Sequence, residues 1–240
     1  MFTPVSNIQP QPLHLHFNFL HMKFGIVVFP GSNCDRDMQD ALQYDLQKEV
    51  IMLWHKDKDL SMFSPKEDCI ILPGGFSFGD YLRCGAIARF SPMMNSVIDF
   101  ANAGGKVLGV CNGFQVLCES GLLPGVLMNN AQRQFACKNI FLKNGDEVLK
   151  IPIAHGDGNY FADDKTLDSM EKNGQIIFKY CDEEGNINST ANPNGAIRNI
   201  AGIRNERGNV FGMMPHPERA TSSLLGNTDG RRVFEILGLN

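Results

Sequence analysis

The chain has 240 residues, 43% of them hydrophobic and 20% charged, the proportions of an ordinary globule with room for one sizeable α/β domain. A formal net charge of -4 argues against the basic surface of a nucleic-acid binder and points to a small-molecule substrate. No apolar run approaches the eighteen or so residues of a membrane span, and seven cysteines without a Cys-x-x-Cys pair suit neither a secreted disulfide framework nor a structural zinc site, so a reducing cytoplasm is the expected location and no metal is expected.

Residues 1–22 are rich in proline, glutamine and histidine and lack both a basic n-region and a small-residue cleavage site, which is a poor fit to a signal peptide. They read as a disordered or mis-started extension, with Met22 a natural start, ahead of a domain over residues 23–240. From Lys23 onward strands and helices alternate. Residues 24–29 form an apolar run suited to a buried parallel strand, and Ser32 or Asn33 in the PGSNCD turn can cap a helix over 35–44. Strands follow at 50–54 and 68–72, then a helix at 92–103 that the Gly104-Gly105 turn ends. The expected architecture is α/β, doubly wound and mostly parallel, with ligands bound beyond the carboxyl ends of the strands.

The stretch KVLGVCNGFQVLCESG, residues 106–121, reads as an apolar strand over 107–110, a sharp turn at Cys111 and a helix ending at Gly121. Gly109 and Gly113 flank the cysteine two residues away on either side, as a nucleophile on a crowded strand-to-helix turn requires. The helix N-terminus adds unpaired N–H groups that favour a thiolate. A lone cysteine at a strand end is ordinarily a small core residue, and only the glycines and the turn raise Cys111 above that reading.

Beyond Gly121 the texture changes. Residues 139–143, 148–154, 175–181, 196–205 and 209–213 read as strands separated by Asn/Gly/Asp turns, an antiparallel extension of the sheet, and 231–237 as a last helix. Two further stretches bear on Cys111. LPGGFSFGDYLRCGAIARF, residues 72–90, offers Gly74, Gly75 and Gly79, whose N–H groups can approach a ligand closely. Its Arg83 and Arg89 suit partner or phosphate contacts as well as solvent. In MMPHPERA, residues 213–220, two prolines hold His216 extended, so that Glu218 points the same way and can fix the imidazole tautomer. A cysteine nucleophile, a histidine base and a carboxylate then complete a triad.

These residues together, GVCNGFQ at 109–115, the PGG loop at 73–75 and HPE at 216–218, resemble the class I (triad) glutamine amidotransferases, with their flavodoxin-like domain. More narrowly, FPGSNCDRD, the long 72–90 loop, AHGDGNYF and MMPHPERA are similar to the glutaminase subunits of phosphoribosylformylglycinamidine synthases, over essentially everything from Lys23 on. The resemblance implies that Cys111 attacks the carboxamide of L-glutamine, that His216 moves the proton to departing ammonia and that Glu218 orients His216. It further implies an oxyanion held by the N–H groups of Gly75 and Asn112, with Gln115 near the bound glutamine. The implied partners are a large synthetase subunit, which would use ATP and Mg, and a small accessory subunit. This chain has no GxxxxGK[ST] loop and is expected to carry no cofactor of its own.

The match departs from the family pattern at Cys84, where alanine is common, and at Asp157, Asn159 and Tyr160 in the AHGDGNYF segment. His155 is a structural or interface candidate. Two other readings compete. One is a cysteine hydrolase of similar fold, such as a peptidase or deglycase, against which Gln115 and the late His-Pro-Glu argue. The other is a non-catalytic scaffold, against which the intact triad argues.

Overall fold

The computed structural model describes residues 22–240, so the expectations for residues 1–21 lie outside it. Its centre is a nine-stranded sheet. Strand β1 (Lys23–Val28) pairs in parallel with β2 (Glu49–Trp54) on one side and β3 (Cys69–Leu72) on the other. Then β4 (Lys106–Val110) lies parallel to β3, and β11 (Val210–Met213) parallel to β4. The chain thus lays β2 on one flank of β1 and returns to build on the other, the order reversal of a doubly wound sheet.

The remaining strands, β10 (Ile200–Arg204), β9 (Ile176–Cys181), β6 (Ala136–Asn144) and β7 (Glu147–His155), continue antiparallel beyond β11. The expected fold class, with its antiparallel extension, is what forms. β3, CIIL, is buried at every position, as a central parallel strand covered on both faces must be. Gly25 in β1 leaves room for Leu53, Ile70 and Phe63, whose side chains a Cβ would meet at 2.7 to 2.8 Å.

Helix α1 (Asp35–Asp40) follows β1 and runs into a π-turn, Ala41–Asp45, covering the expected helix. Neither Ser32 nor Asn33 caps it; the N-cap position falls on Cys34, with no side-chain cap bond, and Asn33 Oδ1 instead accepts from the Cys34 thiol at 3.4 Å. Helix α2 (Pro92–Asn102) begins with proline at its first turn and ends before Gly104, whose φ of 96° suits only glycine. Helix α3 (Asn112–Glu119) follows β4, and α5 (Asp229–Ile236) closes the chain.

Three further elements form that the apolar pattern does not predict. Helix α4 (Asp164–Lys172) is capped by the Asp163 side chain, which accepts from the Thr166 N–H at 3.0 Å, and it buries Leu167 and Met170. Strands β5 (Val126–Met128) and β8 (Asn159–Phe161) form a separate two-stranded sheet. Among the described residues no helix is long and apolar enough to cross a membrane.

Candidate active site

Cys111 leaves the end of β4 at φ 51°, ψ -106°, a backbone position a residue with a Cβ occupies only under constraint. The constraint is visible on both sides. Its N–H donates to the Met213 carbonyl of β11 at 2.8 Å, and its carbonyl accepts from the Gln115 N–H at 3.2 Å. A Cβ on Gly113 would be driven into the Leu72 carbonyl of β3, and one on Gly109 would meet the Gly113 oxygen at 2.5 Å. Both flanking glycines are therefore needed for the turn to pass between β3 and α3, as the spacing implied. Cys111 as a whole is 5% exposed, and its thiol donates to the Ala154 carbonyl at 3.8 Å.

His216 arrives from the neighbouring strand. Val110 pairs with Met213, so Cys111 and Met214 emerge side by side and the imidazole follows two residues on. Its Nδ1 lies 2.6 Å from Glu218 Oε1, with both side chains almost fully buried. The contact is the expected one but the backbone is not extended: Pro217–Arg219 is a 3-10 turn, and that turn folds the carboxylate back onto the ring. Burial alone would lower the imidazole pKa, but Glu218, and charge at Cys111, outweigh it and raise it to about 10. His216 Nε2 has no hydrogen-bond partner among the described residues, so the nitrogen facing away from Glu218 is free.

Gly74 sits where these groups converge. A Cβ there would meet His216 Cε1 at 2.8 Å, Cys34 Sγ at 3.2 Å and Cys111 Cβ at 3.4 Å. Gly75, at φ 126°, lines the pocket and packs so close to Asn33 that a Cβ would lie 2.7 Å from its nitrogen. Gly79 does not join them, because its N–H closes the loop onto the Phe76 carbonyl at 2.8 Å. Asn112 opens α3, and its Oδ1 accepts from the Ser77 N–H at 3.2 Å while its Nδ2 donates to Gln115 Oε1 at 2.9 Å. Gln115 in turn donates to the Asp157 carbonyl at 2.7 Å.

A cavity of about 250 Å³ opens over Cys111, lined by Gly75 and Gln115 on one wall and by Ala154, His155 and Asp157 on the other. That volume suits an amino-acid-sized ligand. A larger cavity of about 670 Å³ lies elsewhere, between Pro124, α4 and Asn205, and holds none of the predicted site residues.

The second wall is what sequence reasoning missed. His155 is buried, with Nδ1 donating to Asn130 Oδ1 at 3.1 Å and Nε2 accepting from Asn194 Nδ2 at 3.5 Å. These partners suit the neutral ring, and burial, then charge at His216, holds its pKa down to about 4. Cys84 and Asp157, two of the departures from the family pattern, touch each other, with Cys84 Sγ donating to Asp157 Oδ2 at 3.0 Å. Arg83 and Arg89 reach neither the cavity nor solvent alone: both bind Glu119 at the end of α3, at 2.6 and 2.7 Å, and so pin the loop to the nucleophile's helix. The AHGDGNYF motif carried the one usable signal for this wall. A Cβ on its Gly158 would strike the His155 ring.

Burial also acts on the cysteines outside the turn. It pushes the Cys34 thiol up to about 12 and raises Cys69, Cys84, Cys118 and Cys181, while Cys137 is exposed.

Residues 21–232 match the CobB/CobQ-like glutamine amidotransferase domain family. The chain belongs to that family. Within it, the phosphoribosylformylglycinamidine synthase subunit PurQ of Chlorobaculum parvum is 56% identical over 228 residues, 90% of this chain and 89% of the relative. The subunit of the same name from Moorella thermoacetica is 55% identical, over 89% of this chain and 94% of its own. Among solved structures, a chain of PurLQS from Thermotoga maritima superposes with a TM-score of 0.76 at 39% identity, covering 90% of this chain and 97% of its own. Of the residues the resemblance implied, Cys111, Gly75 and Gln115 line the cavity, Asn112 donates to Gln115, and His216 is paired with Glu218.

Proposed function

We propose that the chain is the glutaminase subunit of a phosphoribosylformylglycinamidine synthase in de novo purine biosynthesis. It hydrolyses L-glutamine to glutamate and ammonia and passes the ammonia to a large synthetase subunit, alongside a small accessory subunit. The synthetase converts formylglycinamide ribonucleotide to formylglycinamidine ribonucleotide with ATP and Mg, neither of which this chain binds as a cofactor. All seven cysteines are free, which suits the cytoplasm. The observation that carries the reading is a buried His216–Glu218 pair beside a cysteine held at positive φ over an amino-acid-sized cavity.

Each residue then has a task. Cys111 Sγ attacks the carboxamide carbon, and His216 Nε2 accepts the thiol proton and returns it to the departing nitrogen, leaving a thioester and free ammonia. Glu218 holds the proton on Nδ1, so that Nε2 is the nitrogen available to Cys111. The N–H groups of Gly75 and Asn112 take the oxyanion, and Gln115 orients the substrate. Water then attacks the thioester, and glutamate leaves. Phe76, Tyr81, Leu82 and Phe90 stand exposed on the loop beside the cavity, an apolar face suited to a partner that receives ammonia.

The experiment is Cys111→Ala in the reconstituted complex, assayed for amidine formation with glutamine or with ammonium as nitrogen donor. Glutamine-dependent synthesis falls by several orders of magnitude and ammonium-dependent synthesis persists. Loss of both activities in a folded, assembled complex would place Cys111 in the synthetase chemistry; loss of neither would make the turn a relic of the fold.

A further inference from the structure

Cys34 belongs to no part of the proposed triad, yet it lies against it. One ligand atom from each of Cys34, His216 and Glu218 falls within 4.8 Å of the others, and all three residues are buried. They come from opposite ends of the chain: Cys34 from the turn after β1, the other two from the turn after β11. Thiol, imidazole and carboxylate form a donor set that borderline-soft divalent ions such as zinc select. Glu218 Oε2 is buried without a hydrogen-bond partner among the described residues, a cost that an ion could relieve, and His216 Nδ1 is the ring nitrogen on the carboxylate's side.

An entry path exists. A cavity of about 540 Å³ on this side of the molecule is lined by Asp37, Asp40, Asp45 and Glu218, with Arg219 the one cationic side chain. Four carboxylates against one guanidinium draw cations toward Glu218. The arginine marks the inner end: its Nε donates to Asp37 Oδ2 at 2.9 Å and its Nη2 lies 3.2 Å from Cys34 Sγ, so the sulfur already faces a positive charge.

We propose that Cys34, His216 and Glu218 form an inhibitory site for a zinc-class divalent cation, entered from the Asp37–Asp40–Asp45 cavity. Coordination through His216 Nδ1 releases the Cys34 thiol proton to solvent, moves the ring proton from Nδ1 to Nε2 and draws Nη2 of Arg219 off the sulfur, while the Asp37 pair retains the guanidinium. Three protein ligands hold the ion, and a water fills the fourth position. With its proton held on Nε2 and the orienting carboxylate taken by the ion, the imidazole can no longer accept the thiol proton of Cys111. Only this inhibitory consequence rests on the glutaminase reading; the binding itself does not.

The test uses cobalt(II) and zinc with the full chain. Cobalt should give a sulfur-to-metal charge-transfer band in the near ultraviolet that zinc displaces, with one ion per chain by titration calorimetry. The band should survive Cys111→Ala and vanish in Cys34→Ser, a nearly isosteric change, with zinc affinity at least about 10-fold weaker. Glu218→Gln, checked for folding by thermal melting, should weaken zinc to a similar extent. A band that survives Cys34→Ser, a band lost in Cys111→Ala, full zinc affinity in Glu218→Gln, or no stoichiometric binding to the wild type would each overturn the site. In the reconstituted complex, zinc should abolish glutamine hydrolysis and a chelator restore it, with Cys34→Ser needing at least about 10-fold more zinc. Retained hydrolysis in a zinc-saturated wild type would overturn the inhibition. A cobalt band in a chain without any glutaminase activity would leave the metal site standing and remove the glutaminase reading.

Discussion

On the parallel half of the sheet, Cys111 and His216 leave the ends of adjacent strands and are aimed by backbone: a positive φ, a 3-10 turn and glycines that let β3, β4 and α3 close up. On the antiparallel half, the end of β7 supplies Ala154, His155 and Asp157 as the facing wall, and that wall is held by side chains. Asn130 alone accepts from the Gly158 N–H at 3.0 Å and from His155, and donates to the carbonyls of Gln134 and His155 at 2.8 and 2.9 Å. Asn194 ties His155, Gly158 and Tyr180 together from the other side. The reacting groups are therefore fixed by steric exclusion, which tolerates almost no substitution. The wall is fixed by a polar network, which loses a few kcal/mol at a time.

The largest expected effect is on the reacting side. Glu218→Gln keeps the shape but loses the acceptor that holds the proton on His216 Nδ1, so glutamine-dependent activity should drop on the order of 10⁴-fold with ammonium-dependent activity intact. A loss under about tenfold in steady-state assays would mean that the ring is oriented by packing instead.

Gly113→Ala comes next. On helix propensity alone, alanine would add about 1 kcal/mol. The Leu72 carbonyl occupies the Cβ position, so denaturant titration should instead show a loss of roughly 3 kcal/mol. A stabilised variant would show that β3 and α3 can separate, and the contrast between rigid and networked halves would fail.

On the wall, Asn130→Ala strands the Gly158 N–H and the His155 ring and should cost about 2 to 3 kcal/mol. Its kinetic signature sharpens the comparison: KM for glutamine rises while kcat changes little, because the residue shapes the pocket and touches no reacting atom. A kcat that collapsed at unchanged KM would assign the wall a part in the chemistry.

The smallest effect is a pH dependence. His155 titrates near 4 when folded, against 6.5 ordinarily, so its contribution is fully present above about pH 6.5. As pH falls, the unfolded chain takes up a proton that the folded one refuses, and stability drops by about 2 kcal/mol between pH 6.5 and 5. His155→Gln should remove that part of the slope in urea midpoints measured across the range. Identical slopes would mean that the folded ring accepts the proton after all.

Much of the parallel half was legible in the chain because its determinants are local. An apolar run with glycines two residues either side of Cys111 specifies a strand-to-helix turn wherever it occurs, and the strands ending at Val28, Leu72 and Val110 lie within two residues of their expected bounds. Helix α4 is capped by Asp163, but Leu167 and Met170 are the only residues that it buries, too few in nine residues to mark a helical face in the chain alone.

By itself, then, the sequence determined the family, the alternation of strand and helix, and Cys111, His216 and Glu218 as the candidate reacting set, because each is signalled by a motif within a few residues. Only the tertiary structure decided which groups share the pocket with them. The pairing of β4 with β11 sets Cys111 beside a histidine 105 positions later (216 minus 111), and the pairing of β1 with β3 and β3 with β4 brings Cys34 against both. Asn130 and Asn194 find His155 across gaps of 25 and 39 positions. Such contacts are selected by burial and by the satisfaction of polar groups over the whole fold, and no short-range pattern in the chain encodes them.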